Sequence, residues 1–67
     1  MRKNDNVLIR AYNPPLKGRV ASTYIIPIRN IQDQRLITRY PDGVPMVEVF
    51  LENGKLQVFV KDMVEVV

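Results

Sequence analysis

The side chains in this sequence best equipped for chemistry are arginines and aromatic rings. Arg19, Arg29, Arg35 and Arg39 lie in or beside the middle β-prone stretches, with Tyr24 and Tyr40 nearby. A guanidinium is a planar fork that donates two hydrogen bonds to a phosphate, and a tyrosine ring offers its face to an unstacked base. Arg35 and Arg39 are four residues apart, so a strand would hold both on one side. Arg19 joins them if its strand pairs with theirs. The set reads as a single-strand RNA or DNA platform, with charge for the backbone and rings for the bases. The competing reading is an ordinary solvated strand face.

A second set lies in residues 47–60, VEVFLENGKLQVFV. Alternation assigns Val47, Val49 and Leu51 to one face, with Leu56, Val58 and Val60 opposite them, and puts Phe50 and Phe59 on the other face. Two rings on one face either cover a minor cluster of the core or form a contact surface for a larger protein complex, a second copy or stacked bases.

Catalytic chemistry has little to draw on. Cysteine and histidine are absent, so there is no nucleophile–base pair, no disulfide and no Cys or His metal ligand. Asp33 and Asp42 are isolated turn acids. Glu48 and Glu52 are separated by Phe50, and Lys55 neutralises one of them. No glycine-rich phosphate loop or carboxylate cluster is present. The expectation is a protein that is not an enzyme and that uses no metal or cofactor.

Elements short enough for a 67-residue chain must position these groups. Such a chain is one small domain, residues 1–67, whose core is marginal without staples and gains from oligomerising or docking on a partner. Val7-Leu8-Ile9 reads as a first strand, ended by Tyr12-Asn13-Pro14-Pro15. Lys17 to Ile26 is a long β-prone stretch in which Gly18 marks a bulge or close approach, and Pro27 ends its ladder. Arg29 to Gln34 reads as loop and Arg35 to Tyr40 as strand. Pro41-Asp42-Gly43 is a turn signal, and Pro45 keeps Val44-Pro45 irregular or at an edge. Asn53-Gly54 reads as a two-residue type I′ turn. That turn sets Glu52 opposite Lys55, Leu51 opposite Leu56, Phe50 opposite Gln57, Val49 opposite Val58, Glu48 opposite Phe59 and Val47 opposite Val60. Lys61-Asp62-Met63 reads as one 3₁₀ turn, and Val64 to Val67 as the closing strand.

The net charge of +3 is unevenly spread. Residues 1–40 hold eight Lys/Arg against two acids, a net of +6, whereas residues 41–67 hold two Lys against five acids, a net of −3. A basic first part suits phosphate or an acidic protein patch. No apolar run is long enough for a membrane span, and Met1-Arg2-Lys3-Asn4-Asp5 turns polar at once, which reads as soluble and cytoplasmic.

Five or six short antiparallel strands with no helical period predict an all-β, strongly bent small barrel. The order of Asp5-Asn6-Val7-Leu8-Ile9-Arg10, Lys17-Gly18-Arg19-Val20, hairpin 47–60 and Lys61-Asp62-Met63-Val64-Glu65-Val66 resembles SH3-like barrels. It is similar to the Tudor and KOW modules and to the small barrel protein of photosystem I. The resemblance implies a non-catalytic binding module. Nucleic-acid association through the basic face is the first expectation, and assembly on a protein through Phe50 and Phe59 the alternative.

Overall fold

Asn6–Ile9 forms the first strand, β1, of a computed structural model that describes all 67 residues. It is followed by β2, Leu16–Ile26, then by a 3₁₀ turn at Ile28–Asn30 and a short helix α1, Gln34–Arg39. Strands β3, Val44–Leu51, and β4, Leu56–Val60, make a hairpin. A 3₁₀ turn at Lys61–Met63 leads into β5, Glu65–Val66. The five strands form one antiparallel sheet in the order β4-β3-β2-β1-β5. No β4–β5 pair is present, so the hydrogen bonds show one sheet with β4 and β5 at its edges and do not show the closed barrel expected from the sequence.

Alternation builds the core. Val7 and Ile9 of β1, Val20 of β2, and Val47, Val49 and Leu51 of β3 are buried on one face, joined by Phe59 of β4 and by Val64. Half-buried Leu16 packs against this cluster, and Tyr12 meets the Phe59 ring edge-on with centroids 6.2 Å apart. Burying each such side chain contributes about 1.5–3 kcal/mol relative to leaving it in water.

Two single-residue irregularities decide which side chains enter that core. The first is a bulge in β2, where the pairing steps from Val20↔Val49 to Ser22↔Glu48. Before it Gly18 and Val20 face inward; after it Ser22 and Tyr24 share the outer face with Glu48 and Met46. Gly18 is a close approach, as its place in the sequence predicts. A Cβ there would lie 2.5 Å from the Phe50 carbonyl oxygen and 2.7 Å from Val49 Cγ1.

The second irregularity corrects the expected hairpin. Leu51 N–H donates to Lys55 O (2.8 Å), Gly54 N–H donates to Leu51 O (3.0 Å), and Gly54 has φ +86°. The connection is therefore the three-residue loop Glu52-Asn53-Gly54 with a glycine bulge, and not a two-residue type I′ turn. Asn53 Oδ1 accepts the Lys55 N–H at 2.9 Å and holds the loop. Pairing moves by one residue, to Phe50↔Leu56, Val49↔Gln57, Glu48↔Val58, Val47↔Phe59 and Met46↔Val60. A one-residue slip reverses a whole strand. Phe59 goes into the core, and Leu56 and Val58 come out.

The stretch read as strand at 35–40 is helical instead. Asp33 is its N-cap, accepting the Arg35 N–H at 2.9 Å, and Arg39 lies in the last turn. Ile37, Thr38 and Tyr40 favour strands by type, but the cap and the lack of a strand partner outweigh that preference. The first 3₁₀ turn, Ile28–Asn30, overlaps the start of the stretch read as loop from Arg29 to Gln34; the turn at Lys61–Met63 is where the sequence places it. Pro45 sits opposite Ile25 where β3 has not yet met β4, so its missing N–H costs no ladder bond there.

Candidate functional site

The register determines the outer face of the sheet. Reading across the strands, one row is Leu56, Phe50, Arg19 and Asn6. The next is Val58, Glu48 and Ser22, and the third is Val60, Met46 and Tyr24. Phe50 is 56 % exposed and Leu56, directly opposite it, 55 %. Val58 and Tyr24 are also exposed, and Met46 and Val60 are half-buried. These side chains leave a mainly aliphatic patch on β3 and β4 that the chain itself does not cover. Ser22 Oγ donates to Glu48 Oε1 (3.3 Å) at its middle.

Beside the patch, the N-terminal loop, β1 and the start of β2 form an open concavity. Phe50 lines it together with Lys3, Lys17 and Arg19, and Glu52 is the one acid in its wall. Lys17 lies between Leu8 and Glu52, which donates its backbone N–H to Lys17 O (3.0 Å). The two regions meet at Phe50. An apolar surface with a cationic margin suits an apolar partner surface bordered by acids.

The arginine and tyrosine set is only partly assembled. Arg35 and Arg39 share a face of α1, because four residues is also a helical spacing. With Gln34 and Thr38 they line a shallow depression. Both are engaged with acids: Arg35 Nη2 is 3.4 Å from Asp33 Oδ2, and Arg39 Nη2 is 3.4 Å from Asp62 Oδ2. These exposed pairs are worth about 0–1 kcal/mol each, so a phosphate could displace them cheaply. Tyr40 Oη donates to Asp62, and the Arg39 guanidinium lies 5.5 Å from the Tyr40 ring centroid. The group therefore ties α1 to the 3₁₀ turn at Lys61–Met63. Arg29 is in the other 3₁₀ turn. Arg19 is seven residues along β2 from Ile26, the end nearest α1, and at ~3.3 Å per residue that is roughly 20 Å along the strand.

The hydrogen bond to Asp62 pushes the Tyr40 hydroxyl above its ordinary pKa, desolvation adds to this, and Arg39 opposes it. A raised value means that the neutral hydroxyl holds this contact throughout the neutral range and up to the ordinary tyrosine pKa. The contact is lost as pH rises through the raised value. An ultraviolet tyrosinate titration is expected to show a late component that Asp62→Asn removes. A titration curve identical in the variant would contradict the contact.

Of the aromatic pair, Phe50 is on the surface and Phe59 is 4 % exposed in the core. Leu56, Val58, Lys3 and Lys17 belong to the surface that Phe50 centres, and nothing in the sequence alone singles them out. The glycine after Asn53 permits a three-residue loop as readily as a two-residue one, and the shorter choice hides Leu56 and Val58. The described structure brings together no group of three or more His, Cys, Asp or Glu side chains. No helix is long and apolar enough to cross a membrane.

Comparison of the chain with protein-family models, with curated proteins and with solved structures gave no match.

Proposed function

We propose that this chain is a non-catalytic, SH3-like binding module that docks on a larger protein through the outer face of its sheet, centred on Phe50. The observation that carries this is the cross-strand pair Phe50–Leu56. Both side chains are more than half exposed, in a domain whose other central β3 positions, Val47, Val49 and Leu51, are buried. An aromatic anchor among aliphatic neighbours with a charged rim is the composition of a protein interface. Lys3, Lys17 and Arg19 supply the rim and favour an acidic partner margin.

Nucleic-acid binding is the second reading, and one observation favours it: an aromatic ring and three cations line the same concavity. The surface beyond Phe50 weakens it. Bases stack on rings, and beyond Phe50 this face offers one, Tyr24, among the aliphatic Leu56, Val58, Met46 and Val60. The α1 arginines are a second candidate for phosphate contact, apart from this face.

A photo-crosslinking residue at position 56 in cells is expected to trap a protein, and one at position 34 on α1 is not. Phe50→Ser should abolish that crosslink at unchanged thermal stability. Complex formation should change little with salt, whereas binding to phosphates falls steeply as salt rises. Absence of a protein adduct, together with oligonucleotide binding of steep salt dependence that is lost in Arg35→Glu/Arg39→Glu or in Arg19→Glu, would replace this reading with the second.

A further inference from the structure

The edge of β4 has an unusual combination of features. Leu51–Lys55 is a hydrogen-bonded pair of the β3–β4 ladder. Such pairs alternate along an antiparallel ladder, so Val49–Gln57 and Val47–Phe59 carry the next bonds. The backbone N–H and C=O of Leu56 and Val58 then point away from β3. β4 is the last strand of the sheet, and no turn, loop or cap hydrogen bond reaches either residue. Exposed edges are normally defended by an inward charge, a proline, a bulge or a covering element. Leu56–Val60 reads Leu-Gln-Val-Phe-Val and contains no charge and no proline. The same residues that leave their backbone unpaired also place their side chains in the apolar patch.

We propose that the partner docks by strand addition: an extended segment of another protein pairs with the β4 edge and lays its alternate apolar side chains beside Leu56 and Val58. This rests on the reading of the Phe50 face as the docking surface and specifies how it is used. Main-chain hydrogen bonds would supply affinity, and the Phe50–Leu56–Val58 surface would supply selectivity. The charges at the ends of the strand define the occupant. Lys55 and Lys61 bracket β4, whereas Asp62 next to Lys61 is already bound by Tyr40 and Arg39. Two copies pairing antiparallel about Val58 would set Lys55 of each opposite Lys61 of the other, a like-charge contact at both ends. A segment with an apolar alternating centre and acidic residues at both ends meets the edge without that cost.

The probe is a random 12-residue peptide display library selected on the immobilised chain. Peptides with acidic ends and an alternating apolar centre are expected. With a selected peptide bound, the Leu56 and Val58 amides should exchange at least tenfold more slowly in hydrogen–deuterium exchange read by NMR. Val58→Pro removes one outward N–H without removing a β3 bond, and should weaken the peptide at least tenfold. Should that variant fail to fold, Val58→Lys, which keeps the N–H but charges the centre of the edge, must give the same loss. If Phe50→Ser abolishes binding while the Leu56 and Val58 amides stay fast, strand addition is overturned and the docking face stands. If Phe50→Ser has no effect on any selected peptide, the docking face itself is overturned. A free chain that sediments as a dimer with both amides already slow would make the occupant a second copy and overturn the acidic segment.

Discussion

Phe59→Ala is expected to destabilise the domain by about 3–5 kcal/mol, the usual range for removing a buried aromatic ring. For 67 residues the whole stability is roughly 3–10 kcal/mol at the common per-residue range, so the loss is about a third of the total or more. The effect is large because Phe59 is the one β4 side chain in the core, opposite Val47 and edge-on to Tyr12. Phe50→Ala should change stability by no more than about 0.5 kcal/mol, as surface substitutions do. Urea denaturation of the two variants side by side tests the three-residue loop directly. Equal midpoints, or a larger loss for Phe50→Ala, would contradict the register.

Gly18→Ala should cost roughly 1–3 kcal/mol, the range for overpacking, and Gly18→Val more. The added carbon has no room, because the Phe50 carbonyl oxygen, Val49 Cγ1 and Leu51 Cα crowd its position. Two of these three atoms are backbone, so relief requires β2 and β3 to move apart at the residue that carries the exposed ring. The same substitution should therefore weaken partner binding beyond its effect on folding. Guanidinium denaturation gives the stability, and crosslinking at position 56 under conditions where the variant remains folded gives the binding. A fully stable Gly18→Ala would show that the strands can separate freely there.

Most of the strand layout was legible because local chemistry and tertiary demand agree. Val47, Val49 and Leu51 alternate and are buried, Gly18 sits where two backbones crowd, and Lys61–Met63 turns where its polar residues interrupt two apolar runs. Two misreadings had distinct physical sources. Asn-Gly is compatible with hairpin loops of two lengths, and the choice lies in whether Gly54 ends a type I turn or sits within a type I′ turn, which sequence alone does not separate. At 35–40, β-branched and aromatic residues argued for a strand, whereas the deciding interaction was one side-chain cap from Asp33 on a helix of six residues, too short to display a period. Of the candidate surface, Phe50 and Arg19 were visible as types. Their adjacency across β2 and β3 was not, because it depends on the bulge between Val20 and Ser22.

The bulge and the loop also shape how a lineage carrying this domain can change length. A single deletion in Glu52–Gly54, or repair of the β2 bulge, would turn the following strand over and exchange its buried and exposed residues together. Insertions and deletions there should survive only when matched by a second change that restores the phase. The connection from Pro27 to Gly43 is free of that constraint. Its ends are set by the β2–β3 ladder, and the 3₁₀ turn and α1 between them contribute no fully buried residue to the core. Length variation among descendants should accumulate in that connection, along with the charge variation carried by Arg29, Arg35 and Arg39, while the hairpin keeps its count.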